Sequence, residues 1–226
     1  VGDGSLAASL KPASITDLFD KDDAYMLTVA DNKITILGKN TTAAFYGVAT
    51  LKMMLSSLAN SALVPVTIED YADVAVRGIV EGFYGGFQDD HRKSEMEFCQ
   101  DVKMNIFIYA SKTDSYHDRQ WAVPYPEERM NYFKELVALQ EKTKCEFSWA
   151  VHTGYFFRTL TEANREAQMQ QLKDKFQQFI DIGVRRFSML NDDYGAGDVA
   201  TVVSVVNEMN QWLTGQGFPA IVYCPQ

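Results

Sequence analysis

Three cysteines and three histidines are all that this 226-residue chain offers a thiophilic metal, and neither set is spaced to hold one. Cys99, Cys145 and Cys224 lie far apart, in or beside apolar segments and without a CxxC, and an odd count cannot pair fully within the chain. Buried or half-buried free thiols are expected, since 25.5 kDa with 46% hydrophobic residues needs no disulfide scaffold to build a core. His91, His117 and His152 stand singly, no HExxH occurs, and no metal site is expected. Basic charge is also short: 21 Lys and Arg face 30 Asp and Glu, a formal −9, which argues against nucleic acid or an anionic membrane as partner. No window approaches the roughly 20 apolar residues of a membrane span. The opening VGDGSLAASLKPAS lacks the basic and apolar regions of a signal peptide.

What is present is organised in two parts. Residues 1–20 are small and polar and read as a loop. AYMLTVA and NKITILG read as strands hinged at Asp31-Asn32, a hairpin pattern. In the following TTAAFYGVATLKMMLSSL, residues Ala44, Val48, Leu51, Leu55 and Leu58 recur at gaps of four and three, which predicts a helix buried on that face, with Asn40, Thr41 or Thr42 as cap. Residues 1–73 are assigned to the closing part of a small α/β domain and 74–226 to a second domain. From residue 74, short apolar runs alternate with amphipathic helices. Strands are expected at 74–83, 104–110, 145–151, 185–190 and 218–224, and helices start near Asp89, Pro126, Thr161 and Asp198. The third of these helices carries Met169, Leu172, Phe176 and Phe179 on one stripe, and the fourth Val199, Val202, Val206, Met209 and Leu213. Such repetition demands a parallel sheet covered by helices.

That sheet could be open and doubly wound or closed into a barrel. No GxGxxG follows the first strand, as a dinucleotide-binding open sheet would have. Polar residues instead follow successive strands: Glu81, the Lys112-Thr113-Asp114 group, His152 and the pair Asp192-Asp193. A ring of polar loops at the C-terminal ends of strands is where barrel enzymes keep their chemistry. The fold class expected is α/β, a partial (β/α)8 barrel of about five strands preceded by the end of a small α/β domain.

Three acidic pairs occur, and their settings differ. Asp22-Asp23 precedes a strand and Asp89-Asp90 opens a helix, so both read as structural. Asp192-Asp193 ends the apolar run RRFSML and precedes Tyr194-Gly195-Ala196-Gly197. Neighbours in an ideal strand point to opposite faces. At a strand end, a glycine-rich turn can rotate the second carboxylate back into the same pocket. Helix capping or plain solvation of the pair is the competing reading.

RGIVEGFYGG (77–86), MNIFIYASKTDSYH (104–117), WAVPYP (121–126), WAVHTG (149–154) and GVRRFSMLNDDYG (183–195) resemble, in order, the strand-end motifs of one family. This is the family of bacterial hyaluronidase-like β-N-acetylglucosaminidases and animal O-GlcNAcases, retaining glycoside hydrolases with a (β/α)8 catalytic barrel. The resemblance runs through roughly residues 25–226 and implies hydrolysis of terminal β-linked N-acetylglucosamine, with the substrate's own acetamide as nucleophile. It implies that Asp192 orients the acetamide, that Asp193 is the general acid/base, and that the Gly85 carbonyl, Lys112, Asn191 and Tyr84 face the sugar. Asp114, Tyr116 and His117 are expected to brace their loop, and Phe83 and Tyr84 to serve as wall and core. Neither cofactor nor metal is implied.

Partners implied are N-acetylglucosamine-containing glycans or glycoproteins. An extracellular bacterial setting also comes from the resemblance alone. Only five of eight strands are found, so a fragment is expected, inactive by itself unless further chain or another copy completes the sheet. The chain departs from the family at Gly86-Phe87-Gln88, where many relatives have Pro-Trp, at Ala122 beside Trp121, and at His152, where a small or polar residue is frequent. These positions bear on substrate preference. Two other readings stay open: a non-catalytic carbohydrate-binding or assembly module of the same fold, and a Mg²⁺-dependent barrel lyase using Asp192, Asp193 and Glu81 as oxygen ligands.

Overall fold

The structure is a computed structural model and describes residues 17–58, 62–85, 89–192 and 198–225. By contacts the chain forms two compact units, one of residues 1–77 with 98–105 and the other of 78–97 with 106–226.

In the first unit β1 (Tyr25–Ala30) pairs antiparallel with both β2 (Lys33–Gly38) and β3 (Val66–Asp70), in the order β2-β1-β3. The β1–β2 hairpin turns on Asp31 and Asn32, both at left-handed φ (51° and 58°), a conformation that these two residue types tolerate. Helix α1 (Thr41–Ser57) is capped as expected by Asn40, whose side chain accepts from the Ala43 amide at 2.9 Å. The buried face differs from the expected one. Ala43, Tyr46, Gly47 and Thr50 are buried, while Val48 and Leu55 are exposed. The helix is apolar nearly all round, so periodicity allowed two faces, and closeness to the sheet selected one. A Cβ on Gly47 would lie 2.5 Å from Ile36 Cγ2, so only glycine lets this side of the helix approach.

The second unit is a five-stranded parallel sheet in the order β4-β5-β6-β7-β8, curled as part of a (β/α)8 barrel. Its strands are β4 (Gly78–Val80), β5 (Ile106–Tyr109), β6 (Glu146–His152), β7 (Arg186–Leu190) and β8 (Val222–Cys224). Helices α2 (Asp89–Asp101), α3 (Glu127–Thr143), α4 (Gly154–Thr159), α5 (Arg165–Ile180) and α6 (Val199–Thr214) lie between them in sequence.

Both terminal strands are shorter than expected because side chains take their backbone groups. The Arg77 guanidinium donates to the Val74 carbonyl at 2.7 Å and Asn105 Nδ2 donates to the Ala75 carbonyl at 2.7 Å, which removes 74–77 from the ladder. The Ile221 amide donates to Asn210 Oδ1 at 3.0 Å, which delays β8.

The two faces of the sheet divide by aromatic content. Tyr109, Phe147, Trp149 and Phe187 are all buried, packed against Phe133 of α3 and Phe176 and Phe179 of α5, and Phe107 is buried on the same face. Trp149 stacks on Phe179 with ring centroids 4.5 Å apart. Each such ring contributes about 1.5–3 kcal/mol of burial. The alternate positions carry no ring in the strands' middle: Ala110, Ala150 and Leu190 cluster with Ile108 against them, and Ser148 and Ser188 share a 3.0 Å hydrogen bond. All four residues of the expected α5 stripe are buried. On α6 the buried residues are Val202, Val205, Met209 and Leu213; Val205 takes the place expected for Val206, and Val199 is exposed.

The thiols Cys99 and Cys145 are buried and free, and Cys224 is half-buried and free. Asp23 pairs with Arg77 at 2.8 Å, and Asp89, in the first turn of α2, pairs with Arg92 and Arg129 at 2.7 Å. Among the described residues no helix is long and apolar enough to cross a membrane.

Candidate active site

In a parallel sheet every strand delivers its C-terminal residues to the same end, so residues far apart in sequence meet there. Lys112 leaves β5, His152 ends β6 and Asp192 follows β7; β6 lies between the other two. Over its end Lys112 Nζ reaches Asp192 Oδ2 at 3.3 Å, which joins two of the residues singled out from the sequence.

The chain beyond β7 is held by the end of β6. The Thr153 amide and hydroxyl both donate to the Leu190 carbonyl, at 2.8 and 3.0 Å. The same hydroxyl lies 3.3 Å from Oδ1 of Asn191, which is buried and whose amide donates to the Cys224 carbonyl at 3.0 Å. His152 Nε2 lies 2.9 Å from the Asp192 carbonyl. These contacts carry the chain out of the ladder and leave the Asp192 carboxylate with one oxygen on Lys112. The other oxygen, Oδ1, is buried and has no hydrogen-bond partner among the described residues. An unpaired buried acceptor costs about 1–3 kcal/mol unless a ligand supplies its donor.

The loop after β5 is braced through Asp114. Its Oδ2 accepts from the hydroxyls of Tyr109 and Tyr125 at 2.6 and 2.7 Å, and its Oδ1 accepts from the Tyr116 amide at 2.8 Å. Burial, aided by the Asp114 charge, holds the Tyr125 phenol well above its ordinary range, so it stays a donor. His117 contacts the Ala150 carbonyl through Nδ1 at 3.3 Å; burial pushes it down to about 4, and it is neutral at physiological pH. Asp118 has its pKa raised by burial, and its Oδ1 lies 3.8 Å from His152 Nδ1. Nothing in the sequence distinguished Asp118 or Thr153; the only available sign was their position just past strand ends.

Glu81 also stands at this end of the sheet, but its carboxylate is committed. Arg92 Nε and Nη2 donate to its two oxygens at 2.9 and 2.7 Å, with both side chains almost wholly buried. A carboxylate neutralised by a bidentate guanidinium is a poor third ligand for Mg²⁺. Among the described residues no group of three or more His, Cys, Asp or Glu is arranged to hold a metal ion.

Gly85 and Tyr84 follow β4 and take no part in the contacts that join Lys112, His152 and Asp192. Gly85 has a left-handed φ of 66°, which requires its residue type, and a Cβ there would meet open space. Phe83 and Tyr84 are 51% and 80% exposed, so neither is core; the chain has already left the sheet at Val80. Asp193, the Tyr194–Gly197 turn, Gly86-Phe87-Gln88 and residues 1–16 lie outside the described residues.

Comparison with known proteins agrees with this arrangement. The profile of a family described as beta-N-acetylglucosaminidase matches residues 77–226, and that of glycosyl hydrolase family 20, domain 2, matches residues 6–71. The O-GlcNAcase proteins of Rattus norvegicus and Mus musculus are each 29% identical over 161 residues, covering 66% of this chain and 17% of theirs. Among solved structures, CpGH84D superposes with a TM-score of 0.79 at 34% identity, covering 96% of this chain and 36% of that one. For CpGH84B the values are 0.80, 31%, 95% and 37%. An O-GlcNAc hydrolase of Thermobaculum terrenum, solved as a mutant, gives 0.57 at 28% identity over 67% of this chain and 35% of its own. The chain thus spans 17% of the length of its curated relatives and 36–37% of the CpGH84 chains. With four of the five motif segments on successive strands of the expected sheet, and a family profile matching residues 77–226, well over half of the chain, the chain belongs to the β-N-acetylglucosaminidase family.

Proposed function

We propose that this chain carries part of the active site of a retaining β-N-acetylglucosaminidase that uses its substrate's acetamide as nucleophile. The observation that supports this most directly is the Asp192 carboxylate, tethered through Oδ2 to Lys112 with Oδ1 buried and unpartnered among the described residues. An acetamide N–H is a donor of the right kind for that oxygen. Accepting it raises the electron density on the acetamide carbonyl oxygen, which attacks the anomeric carbon as the glycosidic C–O bond breaks and Asp193 delivers its proton to the leaving oxygen. An oxazolinium ion results, its N–H still bonded to the Asp192 carboxylate; passage of that proton onto the carboxylate would give the neutral oxazoline, and its return precedes ring opening. Water then adds to the anomeric carbon, giving its proton back to Asp193, and the acetamide is released with net retention.

Two carboxylates in sequence divide the work: one stays an acceptor, and the other carries the proton. Lys112 compensates the Asp192 charge and stands where a sugar hydroxyl can share its ammonium. Asn191, Gly85 and Tyr84 are assigned to the sugar-binding wall. The substrate class is a glycan or glycoprotein with terminal β-linked N-acetylglucosamine, and on the family resemblance the setting is extracellular and bacterial. Further chain, or another copy, supplies the rest of the sugar-binding wall.

The test is hydrolysis of 4-nitrophenyl N-acetyl-β-glucosaminide with and without EDTA, repeated with Asp193→Asn. With the sugar-binding wall completed by further chain or another copy, release of nitrophenol insensitive to EDTA and abolished by the substitution is expected. An unchanged rate in the variant removes Asp193 as the acid, and loss with EDTA removes the metal-free mechanism. Sugar binding without turnover favours the module reading.

A further inference from the structure

The reaction above uses Asp192 and Asp193 but assigns nothing to His152. His152 is buried at the end of β6, between two carboxylates. Its Nε2 is 2.9 Å from the Asp192 carbonyl and 3.7 Å from Asp192 Oδ1, and its Nδ1 is 3.8 Å from Asp118 Oδ1. The Gly154 amide donates to Nδ1 at 3.4 Å. Nδ1 thus accepts from the Gly154 amide, and Nε2 donates to the Asp192 carbonyl, which can only accept. His117 packs edge-on against this ring, with centroids 6.3 Å apart, and is itself neutral.

Resting on the acetamide reading, we infer that His152 is a positioning residue for Asp192: its Nε2–H fixes the Asp192 backbone so that Oδ1 stays turned toward the acetamide N–H. Lys112 alone cannot do this, because a flexible ammonium tethers one oxygen without fixing rotation about the chain. Thr153 fixes Leu190 and Asn191, and His152 extends the clamp by the one residue that matters chemically. A small residue at this position could not reach the Asp192 carbonyl. Misplacement of a reacting group by about 1 Å costs up to roughly 100-fold in rate, and since the acetamide oxygen attacks only in the transition state, the loss falls on kcat rather than KM.

The experiment has two arms on the 226-residue chain. In the first, ¹⁵N–¹H spectra of the three imidazoles, assigned with His91→Gln, His117→Gln and His152→Gln, report the tautomer. An Nε2–H at His152 with a slowly exchanging proton is expected, and an Nδ1–H tautomer overturns the inference. In the second, His152→Leu and His152→Gln are compared on 4-nitrophenyl N-acetyl-β-glucosaminide. Leucine is expected to lower kcat about 10- to 100-fold at nearly constant KM, and glutamine, whose amide nitrogen replaces the Nε2 donor, to restore it to within about threefold of the parent. Equal loss in both variants, or loss in KM alone, overturns the inference even where leucine also lowers stability. If the parent chain by itself turns nothing over, as a partial site predicts, the tautomer still decides whether His152 holds Asp192.

Discussion

Lys175 lies on the sheet-facing side of α5 and is only 3% exposed. No carboxylate is paired with it by direct contact among the described residues. Its ammonium donates to the Val123 carbonyl and lies 4.0 Å from the Tyr125 ring centroid, with Tyr116 and Trp149 at 5.4 and 5.9 Å. Burial pushes this amine down from 10.5 to about 7, with the Asp114 charge opposing only in part. Taken by itself that displacement makes the charged amine roughly 5 kcal/mol less favourable in the folded state than in the unfolded chain. The Tyr125 face and the Val123 carbonyl oppose this cost only in part, since the amine stays lowered to about 7.

The sign follows from proton counting. Between about pH 7 and 10.5 the unfolded chain keeps the Lys175 proton and the folded chain has released it, so this residue makes stability rise with pH through that window. Below it both states are charged and the folded state bears the full cost. Lys175→Met keeps most of the stem's volume and removes the titration. The variant should gain about 3 kcal/mol relative to the parent at pH 6 compared with the same difference at pH 9.5. Urea unfolding followed by tryptophan fluorescence at the two pH values measures it, Trp149 being buried in the same layer. A difference between variant and parent that does not change with pH refutes the assignment of a buried, cation-destabilised amine.

Three further outcomes are expected. Arg92→Met leaves Glu81 buried without its partner and should cost about 3–5 kcal/mol in urea unfolding, with Glu81→Gln in the same chain recovering more than half; an additive double variant contradicts the pairing. Gly47→Ala gains about 1 kcal/mol of helix propensity but forces a Cβ to within 2.5 Å of Ile36 and 3.1 Å of the Tyr25 ring. Overpacking at about 1–3 kcal/mol should win, so a raised melting temperature would disprove this close approach. Asp192→Asn replaces the anionic acceptor proposed for the acetamide N–H by a neutral amide and should lower kcat about 100-fold on the chromogenic substrate with KM within threefold; equal kcat in parent and variant excludes the proposed role.

The sequence by itself determined the alternation of strands and helices, because burial on both faces of a parallel sheet writes near-continuous apolar runs and burial on one face of a helix writes a 3.6-residue stripe. Met169, Leu172, Phe176 and Phe179 are the clearest case. It also placed polar segments such as SKTD and LNDD directly after those runs, and the structure brings Lys112 and Asp192 of these segments to 3.3 Å. The face of α1 was not legible, because a helix apolar on all sides has no periodic minimum, and the close approach at Gly47 decides the matter only once Ile36 and Tyr25 are beside it. The ends of β4 and β8 were not legible either, because Arg77, Asn105 and Asn210 divert backbone groups through contacts across the fold.

At the site, Lys112 and Asp192 are 80 residues apart, and only the sheet order, with β6 between their strands, brings them to 3.3 Å. That same order turns His152 from a solitary histidine into a group between Asp118 and Asp192, and commits Glu81 to Arg92 rather than to a ligand. Local residue pattern encodes what a segment becomes, because burial and backbone propensity act over a few residues. Which side chains share a hydrogen bond depends on strand order and register, and those are settled only when the whole sheet has formed.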